Sequence, residues 1–454
     1  MAGVTQPSRD PPLLGHKVSQ VSLAAQCPVP PAPCTMALPA LTLVLALMAT
    51  SAASADLRLS LAMDSMANKL FAEVSHQPGN VVISPLSVFG AMSVLHRGAG
   101  RGSRTRLQLH IATLGAGEED NTALQAVIRD YGQQIDNNTT LTMANALFAN
   151  KALGKLKDSF KIEVKDQLDA KVKKVDFKKP VETAEAINSW VAAKTKNFIP
   201  KLVNDKSLDI DTSLMVLNAV YFKAMWANAF ERNQSRQGRF EVAHLGGHII
   251  TNMMEVTETI KTAEVDNLQA TSVVLDYSDR NYSMILLLPD DDLVSLEERI
   301  GRSQTRPKDL VAGARHRYTK LTMPSFNIDF QTSLVQPFMA LGVTEAFDTR
   351  RANFSGITDK RGLAVTNIFH KVVLEVGDDS TEDGNRAQVN EEGSEAAAVT
   401  GIVLDIRVAR VPHIININRC FIVLMFSLFQ TVHVLHLRQF PRPSSLHGQG
   451  HGPI

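Results

Sequence analysis

One stretch of the chain decides the fold: NEEGSEAAAVTGIVLDIRVARVP, residues 390–412. Alternate residues of a strand share a face. One face here would carry Ser394, Ala396, Ala398, Thr400, Ile402 and Leu404, and the other would carry Glu395, Ala397, Val399, Gly401, Val403 and Asp405. The first face is small and then apolar, and no proline interrupts residues 390–411. The pattern predicts a segment that can add as a strand to the interior of a sheet.

The sequence outside this stretch predicts helices in the first half of the chain. Apolar residues at helical spacing predict a helix over 57–74, which the Pro-Gly pair at 78–79 ends. A short strand and then a buried helix that starts at Ser84-Pro85 are predicted within 81–96. Residues 151–179 and 184–199 alternate polar and apolar faces with helical period, which predicts helices covering a sheet.

Strand candidates dominate the second half. Two lie earlier, the apolar runs 141–149 and 213–222, which could be central strands or buried helices and whose length and β-branching favour strands. The others are 271–278, 282–289, 320–330, 370–376 and 417–426. Helices first and strands later, without βαβ alternation, predict an α+β fold with mixed or antiparallel sheets. We find no internal repeat and no linker-like change of composition, so we expect one compact domain.

Composition excludes several classes of protein. Lys and Arg number 47 against 46 Asp and Glu, which argues against a polybasic nucleic-acid binder, and 44% apolar residues allow a large core. Cys27, Cys34 and Cys420 are too few for a disulfide framework or a four-cysteine zinc site. No GxSxG motif and no paired cysteines support an enzyme. We predict no cofactor, no metal and no catalytic residue.

Eight further segments, in this order along the chain, carry a family resemblance. They are ISPLSV (83–88), LNAVYFKAMWANAF (217–230), SMILLLPDD (283–291), LTMPSFNIDF (321–330), LGVTEAFD (341–348), ANFSGI (352–357), His370-Lys371 and Asn418-Arg419. With residues 390–412 and the two tryptophans, Trp190 and Trp226, they resemble the serpins over roughly residues 57–430. The resemblance implies the serpin fold, with mixed and antiparallel sheets, about nine helices and an exposed reactive loop over 391–412.

The resemblance also implies a function, suicide inhibition of a serine protease. Counting fourteen residues from Gly393, as serpin loops are spaced, puts the scissile bond at Arg407-Val408. An arginine there fits the acidic specificity pocket of a trypsin-like protease. Arg410-Val411 is the alternative bond. The hinge that inserts would comprise Glu391, Glu392, Gly393, Ser394, Glu395, Ala396, Ala397, Ala398 and Thr400.

Five residues elsewhere take roles by the same resemblance. Ser84, Ser87, Asn218 and His370 would form polar contacts where the sheet opens, and Trp226 would lie near the loop's entry point. Ordinary core positions remain the alternative for each of them.

The chain departs from the serpin pattern at two places. Residues 377–389, GDDSTEDGNRAQV, stand between the preceding strand and the hinge, and 431–454 replace the usual closing strand with an atypical tail. Val432, Val434 and Leu437 could still form an irregular strand. The longer turn can slow insertion and turn an inhibitor into a substrate. A non-inhibitory serpin, acting as a protease substrate or a binding or carrier protein, is therefore the alternative function.

The N-terminal region predicts secretion. Residues 1–35 read as a leader, and 36–55 combine a short apolar run with Ala53-Ser54-Ala55, which is typical of a signal peptide ahead of a serpin domain over 56–430. Asn137, Asn138 and Asn233 are glycosylation candidates, whereas we expect the sequons at Asn281 and Asn353 to be unused.

The remaining clusters of charged residues and histidines indicate which partners the protein could bind. The lysines between Lys151 and Lys179 and the cluster Arg101, Arg104 and Arg106 suggest a glycosaminoglycan, although interleaved acids favour an ordinary solvated surface for the lysines. His433, His436, His447 and His451 match no standard zinc spacing. We expect an extracellular monomer whose partner is a trypsin-like serine protease, with neither nucleic acid nor membrane among its partners.

Overall fold

The computed structural model describes residues 58–113, 133–135, 139–228, 230, 235–242, 247–303, 305–376, 411–427 and 432–439. Eight α-helices occur among these residues, close to the nine expected. They are α1 (residues 58–74), α2 (Pro85–Gly98), α3 (Arg104–Ala112), α4 (Asp158–Leu168), α5 (Pro180–Lys194), α6 (Leu293–Arg302), α7 (Pro307–Gly313) and α8 (Val335–Ala340).

Fifteen strands lie in the same described ranges. They are β1 (Val81–Ile83), β2 (Gln133–Ile135), β3 (Thr139–Asn150), β4 (Lys171–Val175), β5 (Leu214–Ala224), β6 (Arg236–Val242), β7 (Gly247–Val265), β8 (Ala270–Asp276), β9 (Tyr282–Pro289), β10 (Arg315–Pro324), β11 (Ile328–Ser333), β12 (Val365–Val376), β13 (His413–Asn416), β14 (Phe421–Ser427) and β15 (Val432–Gln439). The predicted α+β class with mixed sheets is confirmed.

A six-stranded sheet forms the middle of the fold. Its order is β11-β12-β5-β3-β2, and β4 also pairs with β3. The pairs β11–β12 and β3–β5 are antiparallel, whereas β5 and β12 run parallel from Leu214 opposite Val365 to Ala224 opposite Val376. Two long strands of the sheet are therefore parallel neighbours, although the chain reaches one from the other only after about 140 residues.

The second sheet has nine strands and is mostly antiparallel. Its order is β1-β15-β14-β9-β8-β7-β10-β13, with β6 also paired to β7. The exception is β13, which runs parallel to β10 and follows residues 377–410 in the chain.

Helix α2 is buried along almost its whole length. Ser84 is the N-cap and Pro85 the first helical residue, as predicted, and the side chain of Ser84 makes no capping hydrogen bond. Phe89 and Met92 are fully buried in the core cluster that also holds Val216 and Val220 of β5. The opposite face of the six-stranded sheet packs on α5 through a separate apolar cluster. Helices therefore cover both faces of β5, as a strand that is apolar on both faces requires.

Two predicted elements are each divided in the structure. Residues 151–179 hold α4 but also β4, since Lys171 to Val175 pair parallel with Ala146 to Asn150 of β3. The candidate 320–330 is two strands, because Pro324 ends β10 and β11 begins only at Ile328.

The predicted end of the domain at residue 430 is followed directly by a strand of the second sheet. Residues 432–439 were expected in the tail, with an irregular strand as the alternative, and the structure has strand β15 there. It pairs antiparallel with β14 on one side and with β1 on the other. The sheet therefore extends through Gln439. None of the described helices is long and apolar enough to cross a membrane.

Strand β15 provides a test of this boundary. A chain ending at Thr431 should lose its cooperative urea unfolding transition, because the backbone groups of both β1 and β14 lose their partners. A chain ending at Phe440 keeps every described strand and should unfold at the full-length midpoint. Circular dichroism measures both transitions, and equal midpoints for the two truncated chains would rule out a structural role for β15.

Candidate functional site

The centre of the six-stranded sheet carries a row of polar residues. Strand register puts Asn145 of β3 opposite Asn218 of β5, Asn218 opposite His370 of β12, and His370 opposite Thr332 of β11. Asn145, Asn218 and His370 are buried, and the last two are fully inaccessible. Buried polar groups in an apolar sheet must find partners in the protein. The row therefore has to form a closed network.

Asn218 is the centre of that network. Its side-chain amide nitrogen donates to Ser87 Oγ and, at 2.5 Å, to Asn145 Oδ1. Its carbonyl oxygen Oδ1 lies 2.5 Å from His370 Nδ1. One side chain thus links β3, β12 and the first turn of α2.

The partners of His370 fix its protonation state. Nε2 accepts from the backbone N–H of Ser84 at 3.1 Å, so Nδ1 carries the proton that Asn218 Oδ1 accepts. Burial lowers the pKa of His370 to about 3. The imidazole is therefore neutral at physiological pH, and the whole network is uncharged.

Four of the five residues predicted around the sheet opening meet here. Ser84, Ser87, Asn218 and His370 are in direct contact, although Ser84 contributes its backbone and its buried Oγ has no partner among the described residues. Asn145 was missed. Its only sequence signal was an asparagine inside the apolar run 141–149, which gains meaning from the strand register.

Trp226 lies apart from the network, near the end of the β5–β12 pair. It follows by two residues Ala224, which stands opposite Val376, the last described residue before the loop. Its ring is 2% exposed and stacks on Tyr277 with the centroids 4.8 Å apart. Its place beside the loop's entry point and its role there stay predictions.

The loop itself lies outside the described residues, and so do Arg407, Val408, Arg410 and the hinge residues from Glu391 to Thr400. The chain resumes at Val411, whose exposure of 91% makes it the most exposed of the large apolar residues that the structure describes. The glycosylation candidates Asn137, Asn138 and Asn233 also fall outside the described ranges.

Several of the surface lysines between Lys151 and Lys179 form ion pairs. Lys161 and Asp158 form an ion pair at 2.6 Å, and Lys179 pairs with Glu182 at 2.8 Å. The lysines therefore form a mixed-charge surface, and glycosaminoglycan binding stays a prediction. Among the residues that the structure describes, no cluster of His, Cys, Asp and Glu could hold a metal ion.

Comparison with known proteins agrees with these features. Residues 61–432 match the sequence model of a family described as Serpin (serine protease inhibitor). Intracellular coagulation inhibitor 1 of Tachypleus tridentatus is 34% identical over 341 residues, which are 72% of this chain and 76% of that protein. Iripin-2 of Ixodes ricinus is 30% identical over 330 residues, 72% of this chain and 78% of its own length.

Solved structures give the same fold. Human thyroxine-binding globulin, complexed with thyroxine, superposes with a TM-score of 0.71 at 25% identity and covers 85% of this chain and 98% of its own. Native protease nexin-1 with heparin gives a TM-score of 0.70 at 24% identity, over 86% of this chain and 99% of its own.

His370 should make stability depend on pH. Its folded pKa of about 3 lies below the ordinary value of 6.5, so between these values the unfolded chain binds a proton that the folded protein does not. This contribution to the free energy of unfolding is complete above pH 6.5 and is lost as the pH falls toward 3, by at most about 1.4 kcal/mol per pH unit.

The measurement is the urea midpoint between pH 7 and 4. We expect the urea midpoint of His370→Gln to decline less steeply with falling pH than that of the unsubstituted protein. The midpoint of His413→Gln, a substitution at an exposed position, should decline in parallel with that of the unsubstituted protein. Identical slopes for the unsubstituted protein and His370→Gln would show that His370 is not neutral in the folded state.

Proposed function

The chain belongs to the serpin family, and from that premise we propose that it is a secreted suicide inhibitor of a trypsin-like serine protease, cleaved at Arg407-Val408. The proposal includes insertion of the freed loop between β5 and β12. The observation that carries it is the parallel pairing of these two strands over their full length, with the loop beginning at the end of β12.

Topology favours insertion at this place. A strand that turns back after Val376 runs antiparallel to β12, and therefore also antiparallel to β5. Its entry replaces one parallel pairing by two antiparallel pairings, which are slightly more stable per residue and double the number of backbone ladders. The uncleaved loop is tied at its far end to β13 and lacks the freedom to insert completely.

The side-chain pattern of the hinge fits the space between the strands. The face formed by Ser394, Ala396, Ala398 and Thr400 is small, and we assign it to the core side, beneath which α2 lies. The alternate face includes Glu395 and tolerates charge. Separation of β5 from β12 breaks the bond between His370 and Asn218, so the network must be re-formed around the new strand.

The chemistry up to the trapped state belongs to the protease. Its serine oxygen bonds to the carbonyl carbon of Arg407, the bond to the nitrogen of Val408 breaks, and that nitrogen leaves as a protonated amine. Residues 394–407 then span about 46 Å as an inserted strand, at about 3.3 Å per residue. The acyl-linked protease is carried along, and distortion of its oxyanion hole stops hydrolysis of the ester. The inhibitor itself is not an enzyme.

The segment 377–389 supports the alternative, a serpin that proteases cleave without being trapped. It adds thirteen residues, rich in acidic and polar side chains, between β12 and the hinge. The entropic cost of loop closure grows only slowly with length, so insertion remains favourable. Whether the protein is an inhibitor or a substrate depends on whether the loop inserts faster than the protease hydrolyses the ester. A binding or carrier protein is the corresponding non-inhibitory function.

We also propose that residues 36–55 direct secretion and are removed before Asp56. The apolar run is too short to span a bilayer and ends in the small residues Ala53-Ser54-Ala55. N-terminal sequencing of protein from the culture medium tests this, and retention of the uncleaved chain inside cells would contradict it.

The scissile bond is tested with trypsin, a denaturing gel and mass analysis of the released peptide. We expect a denaturant-resistant band at the summed mass and a peptide that starts at Val408, because Arg407 enters the acidic pocket. Arg407→Ala should reduce the second-order inhibition rate by at least about 100-fold, which is about 2.7 kcal/mol of transition-state binding. The control is Arg410→Ala, which should retain inhibition. A peptide that starts at Val411 would move the bond to Arg410.

The hinge is tested by a matched pair of substitutions. Ala398→Glu places a carboxylate on the face that turns to the core, whereas Ala397→Glu places it on the alternate face. We expect Ala398→Glu to give cleaved protein in place of the covalent complex, and Ala397→Glu to trap protease nearly as well as the unsubstituted chain. If both variants trap protease equally, the loop does not insert in this register; if the unsubstituted chain is only cleaved, the substrate function applies.

A further inference from the structure

A polar cleft of about 750 Å³ lies outside the sheet opening. It is formed by the C-terminal end of α2, the start of α3, one face along the length of α4 and residues 355–356. Cationic side chains line it at Arg97, Arg101, Arg106 and Lys157, and the one carboxylate among its described lining residues is Glu163. The inhibitory mechanism uses none of these residues.

Arg97 is the unusual member of this group. Its side chain is only 8% exposed, and its Nη1 is paired with Glu163 of α4. The other two nitrogens, Nε and Nη2, are buried and have no hydrogen-bond partner among the described residues. A buried guanidinium with two unused donors is costly unless an acceptor satisfies them. An oxyanion is the acceptor that fits an arginine fork best.

The electrostatic surroundings are consistent with an anionic ligand. Burial most of all, and then the charges of Arg106, His110 and Arg97, lower the pKa of His96, another lining residue, to about 4. His96 is therefore neutral at physiological pH, and the positive field of the two arginines, which adds to the effect of burial, also attracts an anion.

A second unpartnered group adds a hydroxyl to the expected ligand. The side-chain oxygen Oε1 of Gln167 is buried without a partner in the part of the chain that the structure describes, and Gln167 lines the same cleft. A carbonyl oxygen accepts hydrogen bonds and does not stabilise an anion, so its partner must be a donor. A ligand with both an oxyanion and hydroxyl groups satisfies Arg97 and Gln167 together.

The cleft is held by backbone contacts before any ligand binds. Gly356 N–H donates to Gly98 carbonyl oxygen at 3.1 Å, and Gly100 N–H donates to Asn353 carbonyl oxygen at 2.9 Å. A side chain at Gly356 would come within 2.7 Å of the Gly98 oxygen, so the two segments can approach only because this residue is glycine. Such a rigid frame reduces the entropy lost on binding.

We propose that this cleft binds a small phosphate ester of a sugar or polyol, with the phosphate on Arg97 and Arg106 and a hydroxyl on Gln167. A long polyanion lying on the surface would engage exposed side chains, such as Arg104 at 73% exposure, in place of the buried Arg97. The volume of the cleft suits a small molecule. The site is independent of the reactive loop, so its test does not depend on inhibition.

The test is calorimetric titration of the purified protein at constant ionic strength with glucose 6-phosphate, inorganic phosphate, glucose and heparin. We expect saturable one-site binding of glucose 6-phosphate, weaker binding of phosphate and none of glucose. Arg106→Gln and Arg97→Leu should each weaken glucose 6-phosphate binding by about tenfold or more. Arg104→Gln is the matched control on α3 outside the cleft, and should change binding by less than about twofold.

Three results would overturn the proposal. The first is no saturation by glucose 6-phosphate at about 10 mM, a concentration at which even weak sites give measurable linkage. The others are equal losses of glucose 6-phosphate affinity in Arg104→Gln and Arg106→Gln, or binding of heparin alone. The last two indicate a polyanion on the surface. Unfolding of each variant without ligand verifies its fold, and Arg106→Gln carries the test if Arg97→Leu does not fold.

Discussion

The hydrogen bond between His370 and Asn218 joins the two parallel strands at the centre of the fold. It requires a neutral imidazole with its proton on Nδ1, and the backbone N–H of Ser84 enforces that state by occupying Nε2. The same asparagine binds Ser87 and Asn145. The position of α2, the register of three strands and the tautomer of one histidine therefore depend on one another.

The absence of charge in this network matters for a sheet that must open. Separating a buried ion pair leaves charges without partners in the core and costs about 3–5 kcal/mol or more. Separating neutral amide and imidazole groups costs about 1–3 kcal/mol for each group left unsatisfied. The uncharged network thus holds the closed sheet in a single register. The free-energy cost of breaking it, when β5 and β12 separate, is offset by the two new antiparallel strand pairings.

Much of this arrangement could be predicted from the sequence, for reasons that differ between residues. Long apolar runs identify β3 and β5 because strands covered on both faces must be apolar on both. His370 and Asn218 were found through family resemblance, since a lone polar residue in a strand has no local signature. Asn145 escaped because its function lies in its register opposite Asn218. Strand β15 was predicted only as an irregular alternative to a tail, because its histidines and arginine interrupt the apolar alternation and its pairing with two neighbouring strands has no local sequence signal.

The pairing of β1 with β15 can form only late in the synthesis of the chain. Val81 lies opposite Arg438, so these partners are separated by more than 350 residues of chain. At about 5–20 residues per second, a ribosome needs roughly 20–70 s to make the intervening sequence. Throughout that interval β1 lacks the strand with which it pairs. The surface of α2 next to β1, which is buried in the folded protein, also remains uncovered. Quality control by chaperones therefore has its longest opportunity at the start of the chain, and one of the earliest strands to emerge is among the last to be completed.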